Sequence, residues 1–555
     1  MTKNLAELIS VAKGETPADL ILANARVINV FNGEVEAGNV ALCGERIAGV
    51  GDYQQARKVL DLGGRYIAPG LINGHIHPES SMLDIGQYAR AVIPRGTTTL
   101  ITDLHEIANV CGLEGIKYVL DYSRRLPFDL FLMAPSCVPA TKLETSGASI
   151  GAEDIRQLLK RKEVIGLGEV MNFPGVIGGD KAVLKKISLA EGKTVDGHAP
   201  GVSGKDLSAY IAAGIHSDHE SVTLDEAREK LQLGMFVMIR EGSSEKNLEA
   251  LLPLVTDKTY NRCLFVVDDR SAADLLRDGD IDAVVRKAIG LGLEPVRAIQ
   301  LATINPAQYF RRDGLGAVAP GYMANLLVLS DLRRLQIEMV FYRGKLVAQE
   351  GKPVFPLPPT SGGLTNTVNI KPFNIGALRL SASGESMPVI EVVPGQIITR
   401  KRLEKITAIP DTSRDILKLV VVERHKATGN IGLGLVSGFG LKNGALASSI
   451  AHDSHNIIAV GVSDEDIFAA IKEVERLQGG LVATAGGKIL ASLPLPIAGL
   501  LSDEPLEVVV RRLEGLEKTA AGLGTRLVSP FSTLSFLALP VIPKIRLTDR
   551  GVVEL

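Results

Sequence analysis

The sequence predicts an α/β protein: a (β/α)8 TIM-like barrel, a small β-sandwich domain built from both sides of the barrel, and a C-terminal α+β domain. Three observations carry that expectation. Eight short apolar runs each end in polar or charged residues, and most are separated by helix-like stretches. Segments with alternating apolar and polar residues lie on both flanks of this series. A proline-rich stretch near residue 360 then separates it from a region of different texture.

Residues 20–50 alternate apolar and polar positions around Asn-Gly and Gly-Glu turns, which is an antiparallel β pattern. The pattern returns in GAVAPGYMANLLVLSDLRRLQIEMVFYRGKLVAQ, from residue 316. The two pieces predict one β-domain, with an N-terminal part at 1–66 and a returning part at 316–357.

The barrel is expected at 67–315. Its runs are YIAPGLINGHIH, TTLITDLHE, DLFLMAPS, VIGLGEVMN, TVDGHAP, AGIHSDHE, MFVMIRE and LFVVDDR. Stretches such as EDIRQLLKRK, KDLSAYIAAG, TLDEAREKLQLG and SEKNLEALLPLV read as the helices between them. Buried strands alternating with helices predict a parallel sheet. Eight such units over about 250 residues match the size of a (β/α)8 barrel, which carries its chemistry where strands end.

FPLPPTSGG, residues 355–363, reads as a linker. The C-terminal α+β domain is expected at 358–555, with β-like runs PVIEVVP and DILKLVVVER and one clear helix, DEDIFAAIKEVERLQGG, whose Gly pair suits a C-cap.

Composition narrows the function classes. The formal net charge of −2 gives no electrostatic case for nucleic acid or anionic lipid. Trp is absent and aromatics are only 4%, which weakens any base-stacking surface. Cys43, Cys111, Cys137 and Cys263 form no CxxC pair and lie in or beside apolar segments, so free buried thiols in a reducing compartment are expected. MTKNLAELISVAKGE lacks an apolar signal region, and LASLPLPIAGLL is too short and proline-broken to span a bilayer. The reading is a cytoplasmic protein with no membrane or nucleic-acid partner.

Six of the nine histidines lie in the barrel segment: His75, His77, His105, His198, His216 and His219. His75 and His77, two apart at a strand end, face the same side and can reach one ion. Glu169 ends strand four, His198 strand five, His219 strand six and Asp268 strand eight. Four imidazoles and two carboxylates around one barrel mouth suit a pair of divalent ions with room for a shared water. Asp268 is chosen over Asp269 because it directly follows the apolar run. Strand two adds Asp103, His105 and Glu106, as further ligands or as groups contacting substrate, whereas His216 falls inside strand six and is expected to be an internal or structural residue. His452 and His455, an HxxH pair, and His425 could form a lone metal site, but packing at a domain interface without direct catalysis is the stronger expectation. GKT at 192–194 is no phosphate loop, because Ile187 stands where its first glycine belongs. The glycines of GNIGLGLVSGFGLKNG fit turns between short strands better than a nucleotide loop.

GHIHPESSM, TDLHEIANV, GLGEVMNFPGV, DGHAPGVSG, SDHES, ERHKATGNIGLGLVSGFG, AHDSHNIIAVG, LPLPIAGLLSDEP and PFSTLSFLALPVIPKIRLTDRG resemble the microbial adenine deaminase family of the amidohydrolase superfamily, over nearly the whole chain. The resemblance implies hydrolysis of adenine to hypoxanthine and ammonia in purine salvage, with two Mn²⁺ or Fe²⁺ ions, Zn²⁺ being a further option. By position it implies His75, His77, His198 and His219 as ligands, Glu169 as the bridging carboxylate and Asp268 as the strand-eight acid/base. His219 is counted with Asp268 and Glu106 among the catalytic residues, and Asp103 and Glu106 are the expected adenine contacts, with Glu106 a donor or contact for ring nitrogen N1. A homodimer is the expected assembly. Four positions depart from the family pattern: Pro78 for an isoleucine, Leu104 for a proline, and Ser271 and Asp280 where histidines are common. Two other readings stand beside this one: a cyclic amide or ureide hydrolase on the same binuclear site, and a catalytically dead purine-binding scaffold.

Overall fold

Strands from both flanks of the barrel segment share one sheet. Leu20–Asn29 pairs antiparallel with Glu34–Cys43 and parallel with Tyr66–Pro69, and Tyr66–Pro69 pairs antiparallel with the returning strand Leu326–Asp331. The sheet has nine strands and curls until Arg46, on Arg46–Gly51, bridges Met323. One continuous sheet thus stands where the two facing sheets of a sandwich were expected. The reason is local: Tyr66–Pro69 lies between the N-terminal and returning strands and hydrogen-bonds to both. Leu22, Val27, Val40, Ile67, Leu326, Val328 and Phe341 bury one of its faces.

The computed structural model describes residues 2–359, 363–382, 384–394 and 396–554, the side chains of residues 2–4 excepted. Residues 360–362, within the expected linker, lie outside the described residues.

Eight parallel strands follow in chain order. Strand one is Leu71–Asn73 and Ile76–His77, and strands two to four are Thr97–Thr102, Asp129–Ala134 and Val164–Val170. Strands five to seven are Thr194–Gly197, Ser217–Asp218 and Phe236–Arg240, and strand eight is Cys263–Val266 with Asp268–Asp269. Strands one to five form one parallel sheet and six to eight another. The two are joined where the His216 N–H donates to the Val195 carbonyl at 3.0 Å, and where Asp268 and Asp269 pair with Ile76 and His77. The His216 side chain is exposed, so only its backbone has the structural role expected of the residue. Every residue of strands two and four is buried, as a parallel sheet covered on both faces requires. Ile72, Ile101, Met133, Ile165, Met238 and Leu264, from six strands, meet in one cluster, so the sheet encloses a packed interior.

Two of the unusual positions have structural roles here. Asp280 is fully buried and collects Asn73 Nδ2 at 3.2 Å, Tyr88 OH at 3.1 Å and Thr97 Oγ1 at 3.0 Å. Asn73 in turn accepts the Val267 N–H at 3.3 Å, tying strand one to strand eight just ahead of His75. Ser271 caps the helix Ala272–Arg277 by accepting the Asp274 N–H at 3.1 Å.

The C-terminal region holds an eight-stranded sheet. The helix Asp464–Leu477 lays Ile467, Ala470, Ile471 and Val474 against Val420, Ala459 and Val482. It ends on Gln478, in the left-handed region at φ 57°, one residue before the glycine pair expected to cap it. This region docks on the barrel through backbone bonds between Ser502 and the Met82–Asp84 segment, each 2.8 Å, and through Asp549, which accepts from Thr145 N–H and Oγ1 at 2.9 and 2.6 Å. All four cysteines are free. Among the described residues, no helix is long and apolar enough to cross a membrane.

Candidate metal centre and active site

Strand one sets the first two donors. Gly74 breaks the strand where a Cβ would meet Leu264 Cδ1 at 2.8 Å, and beyond it His75 and His77 turn their rings inward with centroids 4.8 Å apart. Pro78–Ser81 then forms a single 3-10 turn, closed by Met82 at φ 58°. This accounts for Pro78: its fixed φ suits the first position of the turn, where no N–H is needed. In that turn the Ser80 hydroxyl donates to Asp269.

The six residues predicted as metal ligands come together from five strand ends. His75, His77 and Glu169, then His75, His219 and Asp268, then Glu169, His198 and His219, form overlapping groups whose ligand atoms lie within 4.8 Å of one another. Glu169 stands between two halves. Its Oε1 is 3.6 Å from His77 Nε2, and its Oε2 is 2.7 Å from His198 Nδ1 and 2.9 Å from His219 Nε2. Asp268 Oδ1 is 3.1 Å from His77 Nε2 and 3.5 Å from His75 Nε2. The His75 and His219 rings stack at 4.2 Å. Asp269 has its carboxylate on Ser80 instead, so it is Asp268 that faces the histidines. Asp268 sits at φ 66°, uncommon for a residue with a Cβ and of the kind found at functional sites.

The donors fit divalent cations. His75 Nε2, which faces Asp268 Oδ1 at 3.5 Å, and His219 Nδ1 are buried without a hydrogen-bond partner among the described residues. An unpaired buried polar atom costs about 1–3 kcal/mol, and a cation removes the need for a partner. Imidazole and carboxylate together suit Mn²⁺, Fe²⁺ or Zn²⁺. Burial pushes the Glu169 carboxyl up, but His198 and His219 outweigh it and hold the group well below the usual carboxylate range. Asp268 is likewise pushed up by burial and held down by Arg240, with His75 and His77 assisting.

A surrounding layer fixes these donors. Asp103 Oδ1 lies 3.0 Å from His105 Nδ1 and 3.3 Å from His77 Nδ1, and its Oδ2 accepts the Glu169 N–H at 3.2 Å. Its oxygens are therefore engaged with the metal centre. Leu104 beside it is at φ 55°, a path closed to proline, so the backbone after strand two could not carry the family's residue unchanged. Asp218, next to His219, accepts Lys230 Nζ and Ser221 N–H, each at 2.9 Å, and the Ala199 N–H at 2.9 Å. Lys230 is fully buried and makes further bonds to the Ala199 carbonyl and Glu226, each 2.8 Å. Replacing Lys230 by methionine leaves that carboxylate uncompensated and is expected to cost about 3–5 kcal/mol of unfolding free energy, read from denaturant curves. Burial raises the Asp218 pKa, Lys230 lowers it, and the net shift is downward. Its stabilising contribution is therefore present above the unfolded value of about 3.9 and is lost as pH falls through the depressed folded value.

Several site residues escaped sequence reasoning. Arg240 Nη1 bridges Glu220 Oε1 and Asp268 Oδ2, the latter at 2.6 Å. Its signal was available, since MIRE ends strand seven with a charge in an apolar run. Glu220, directly after His219, lies 3.4 Å from His219 Nε2. Glu79 is buried beside the His77 ring, and burial pushes its carboxyl up to about 7. His452 and His455 do pack at a domain interface, yet they are not remote from the site: His452 Nδ1 is 2.7 Å from Glu106 Oε1, and His455 Nε2 bonds Oε2. Burial raises the Glu106 pKa, but these two histidines bring it well below the usual range. Both oxygens of Glu106 thus face imidazole nitrogens, a geometry that suits an acceptor of N–H groups.

The comparisons agree with this site. Residues 66–347 match the model of the amidohydrolase family, a metal-dependent family, and residues 394–555 match the adenine deaminase C-terminal domain. An adenine deaminase of Dehalococcoides mccartyi is 63% identical over 100% of this chain and 98% of its own length. Adenine deaminase 2 of Carboxydothermus hydrogenoformans is 49% identical, covering 100% of this chain and 98% of its own. The adenine deaminase of Halalkalibacterium halodurans is 44% identical, covering 100% and 97%. The chain belongs to the amidohydrolase family and, over its whole length, to the adenine deaminases within it.

Proposed function

We propose that the chain hydrolyses adenine to hypoxanthine and ammonia, on a (β/α)8 barrel holding two divalent cations, Mn²⁺ or Fe²⁺. The observation that carries this reading is the convergence of His75, His77, Glu169, His198, His219 and Asp268 around one point, in a chain whose full-length relatives carry that name. In this reading His75, His77 and Asp268 would hold one cation and His198 and His219 the other, with Glu169 facing both sets. When bound, the cations supply the acidity that lets water ionise near neutral pH.

The protein's own residues do the rest. Asp268 keeps Oδ2 on Arg240 and turns Oδ1 toward His75 and His77, where it takes a proton from the attacking water. The water oxygen bonds to C6 as the C6=N1 electron pair moves onto N1; Asp268 carries one water proton to N6 as the C6–N6 bond breaks and ammonia leaves, and the second water proton ends on N1 of hypoxanthine, so Asp268 acts as base and then acid. His219 borders the reacting centre from strand six. Glu106, as an anion, accepts a purine N–H. Asp103, read from sequence as a substrate contact, orients His77 and His105 instead, as carboxylates behind ligating histidines do. Four unpaired cysteines support a reducing compartment, the cytoplasm.

Ammonia release from adenine, measured beside ring opening of hydantoins, tests the reaction. Turnover of adenine without hydantoin opening is the expected result. The reverse would establish a cyclic ureide hydrolase, and purine binding without turnover in metal-loaded protein would establish a dead scaffold.

A further inference from the structure

We infer that the C-terminal domain completes the purine site, with His452 and His455 as positioning residues that fix Glu106. Glu106 stands on the first turn of the helix His105–Ser123, which follows barrel strand two. The two histidines stand on one loop of the C-terminal sheet, His455 being 349 residues further along the chain. Each takes a different oxygen of the carboxylate: His452 Nδ1 approaches Oε1 at 2.7 Å and His455 Nε2 bonds Oε2. The tautomer of His455 follows from its other nitrogen. Nδ1 accepts the Ala451 N–H at 3.3 Å, so the ring proton is on Nε2, aimed at Glu106.

The loop is held both from its own domain and from the barrel, so it acts as a fixed template. The His455 N–H donates to the Ala451 carbonyl at 2.7 Å, and the buried Arg424 guanidinium donates to the His455 carbonyl. His425 Nε2 reaches the Ser454 carbonyl at 2.6 Å, and Asn456 Nδ2 donates to Thr145 O at 2.8 Å. The His452 ring stacks on Phe536 at 4.7 Å and 20°. On its other side Glu106 Oε1 lies 3.7 Å from His105 Nε2, and the His105 ring packs edge-on to His77 at 4.6 Å. Glu106 is therefore held between the loop and the metal-centre histidines, with both oxygens pinned. Its nitrogen–oxygen distance to His452 is that of a charge-assisted hydrogen bond. Pinning sets the direction of the lone pairs left for a purine N–H, and such preorganisation is worth rate as well as affinity.

The inference rests on Glu106 being a purine contact, and a mutant cycle in full-length, metal-loaded protein separates the two claims. The variants are Glu106→Gln, His452→Ala, His452→Asn and the double Glu106→Gln/His452→Ala. Metal content, kcat, KM for adenine and hypoxanthine binding by equilibrium dialysis are measured for each. Metal content is expected to stay at the wild-type level. His452→Ala is expected to lose about 10–100-fold in kcat/KM, as partners behind a functional group do, and to weaken hypoxanthine binding. His452→Asn, whose amide nitrogen stands where Nδ1 stood, is expected to recover part of both. The double variant is expected to be no worse than Glu106→Gln alone, because His452 acts through Glu106. Unchanged kcat/KM in His452→Ala, losses that multiply, no recovery in His452→Asn, or loss of metal would each overturn the inference. An unaffected Glu106→Gln would overturn the purine-contact reading itself.

Discussion

Replacing Glu169 by glutamine is expected to lower the metal content from two ions per chain to one or none, and to abolish measurable turnover. The substitution keeps the shape and removes the charge. Glu169 faces both halves of the donor set with separate oxygens, Oε1 toward His77 and Oε2 toward His198 and His219. An amide offers one neutral oxygen, so it can serve one half at most. Partners outside a coordination shell are worth about 10–100-fold in metal affinity, and losing the shared carboxylate exceeds that. Elemental analysis after dialysis gives the count, and circular dichroism shows whether the fold is kept.

Asp268→Asn is expected to act differently, with kcat falling by about 10³, within the range for loss of a general acid–base group. The amide cannot take the water's proton. Arg240 also loses the anion at 2.6 Å and keeps only Glu220. Because His75, His77 and Glu169 remain, saturating Mn²⁺ is expected to restore occupancy without restoring turnover. Steady-state kinetics with and without added metal distinguish this result from that of Glu169→Gln. Recovery of kcat on adding metal would show that Asp268 is a ligand only.

The donor set was legible because strand-end placement is a local property. An apolar run followed by His-x-His, Glu169, His198, His219 or Asp268 marks a strand end wherever the partner strands lie, and parallel barrel strands end on one face. The flanking β-domain was legible as pieces but not as one sheet, because hydrogen bonding of Tyr66–Pro69 to both neighbours is a tertiary fact. The grip of His452 and His455 on Glu106 was invisible for the same reason, since no periodicity links residues that far apart. Arg240 was overlooked though its signal was present. A buried arginine at a strand end needs an anion, and Asp268 ends the neighbouring strand eight. Asp280 and Ser271, which read as odd substitutions, turned out to satisfy local hydrogen bonding in strand one and in a helix cap. Sequence pattern cannot tell such a replacement from a lost function.

The central claim is that this donor set binds two cations and uses them on adenine. Its most direct test is metal content by elemental analysis of protein purified with added Mn²⁺, paired with the absorbance change from adenine to hypoxanthine on the same sample. The account predicts two ions per chain, with turnover that disappears on chelation and returns with metal. Fewer than two ions in active protein, or a fully loaded protein that leaves adenine unchanged, would contradict it.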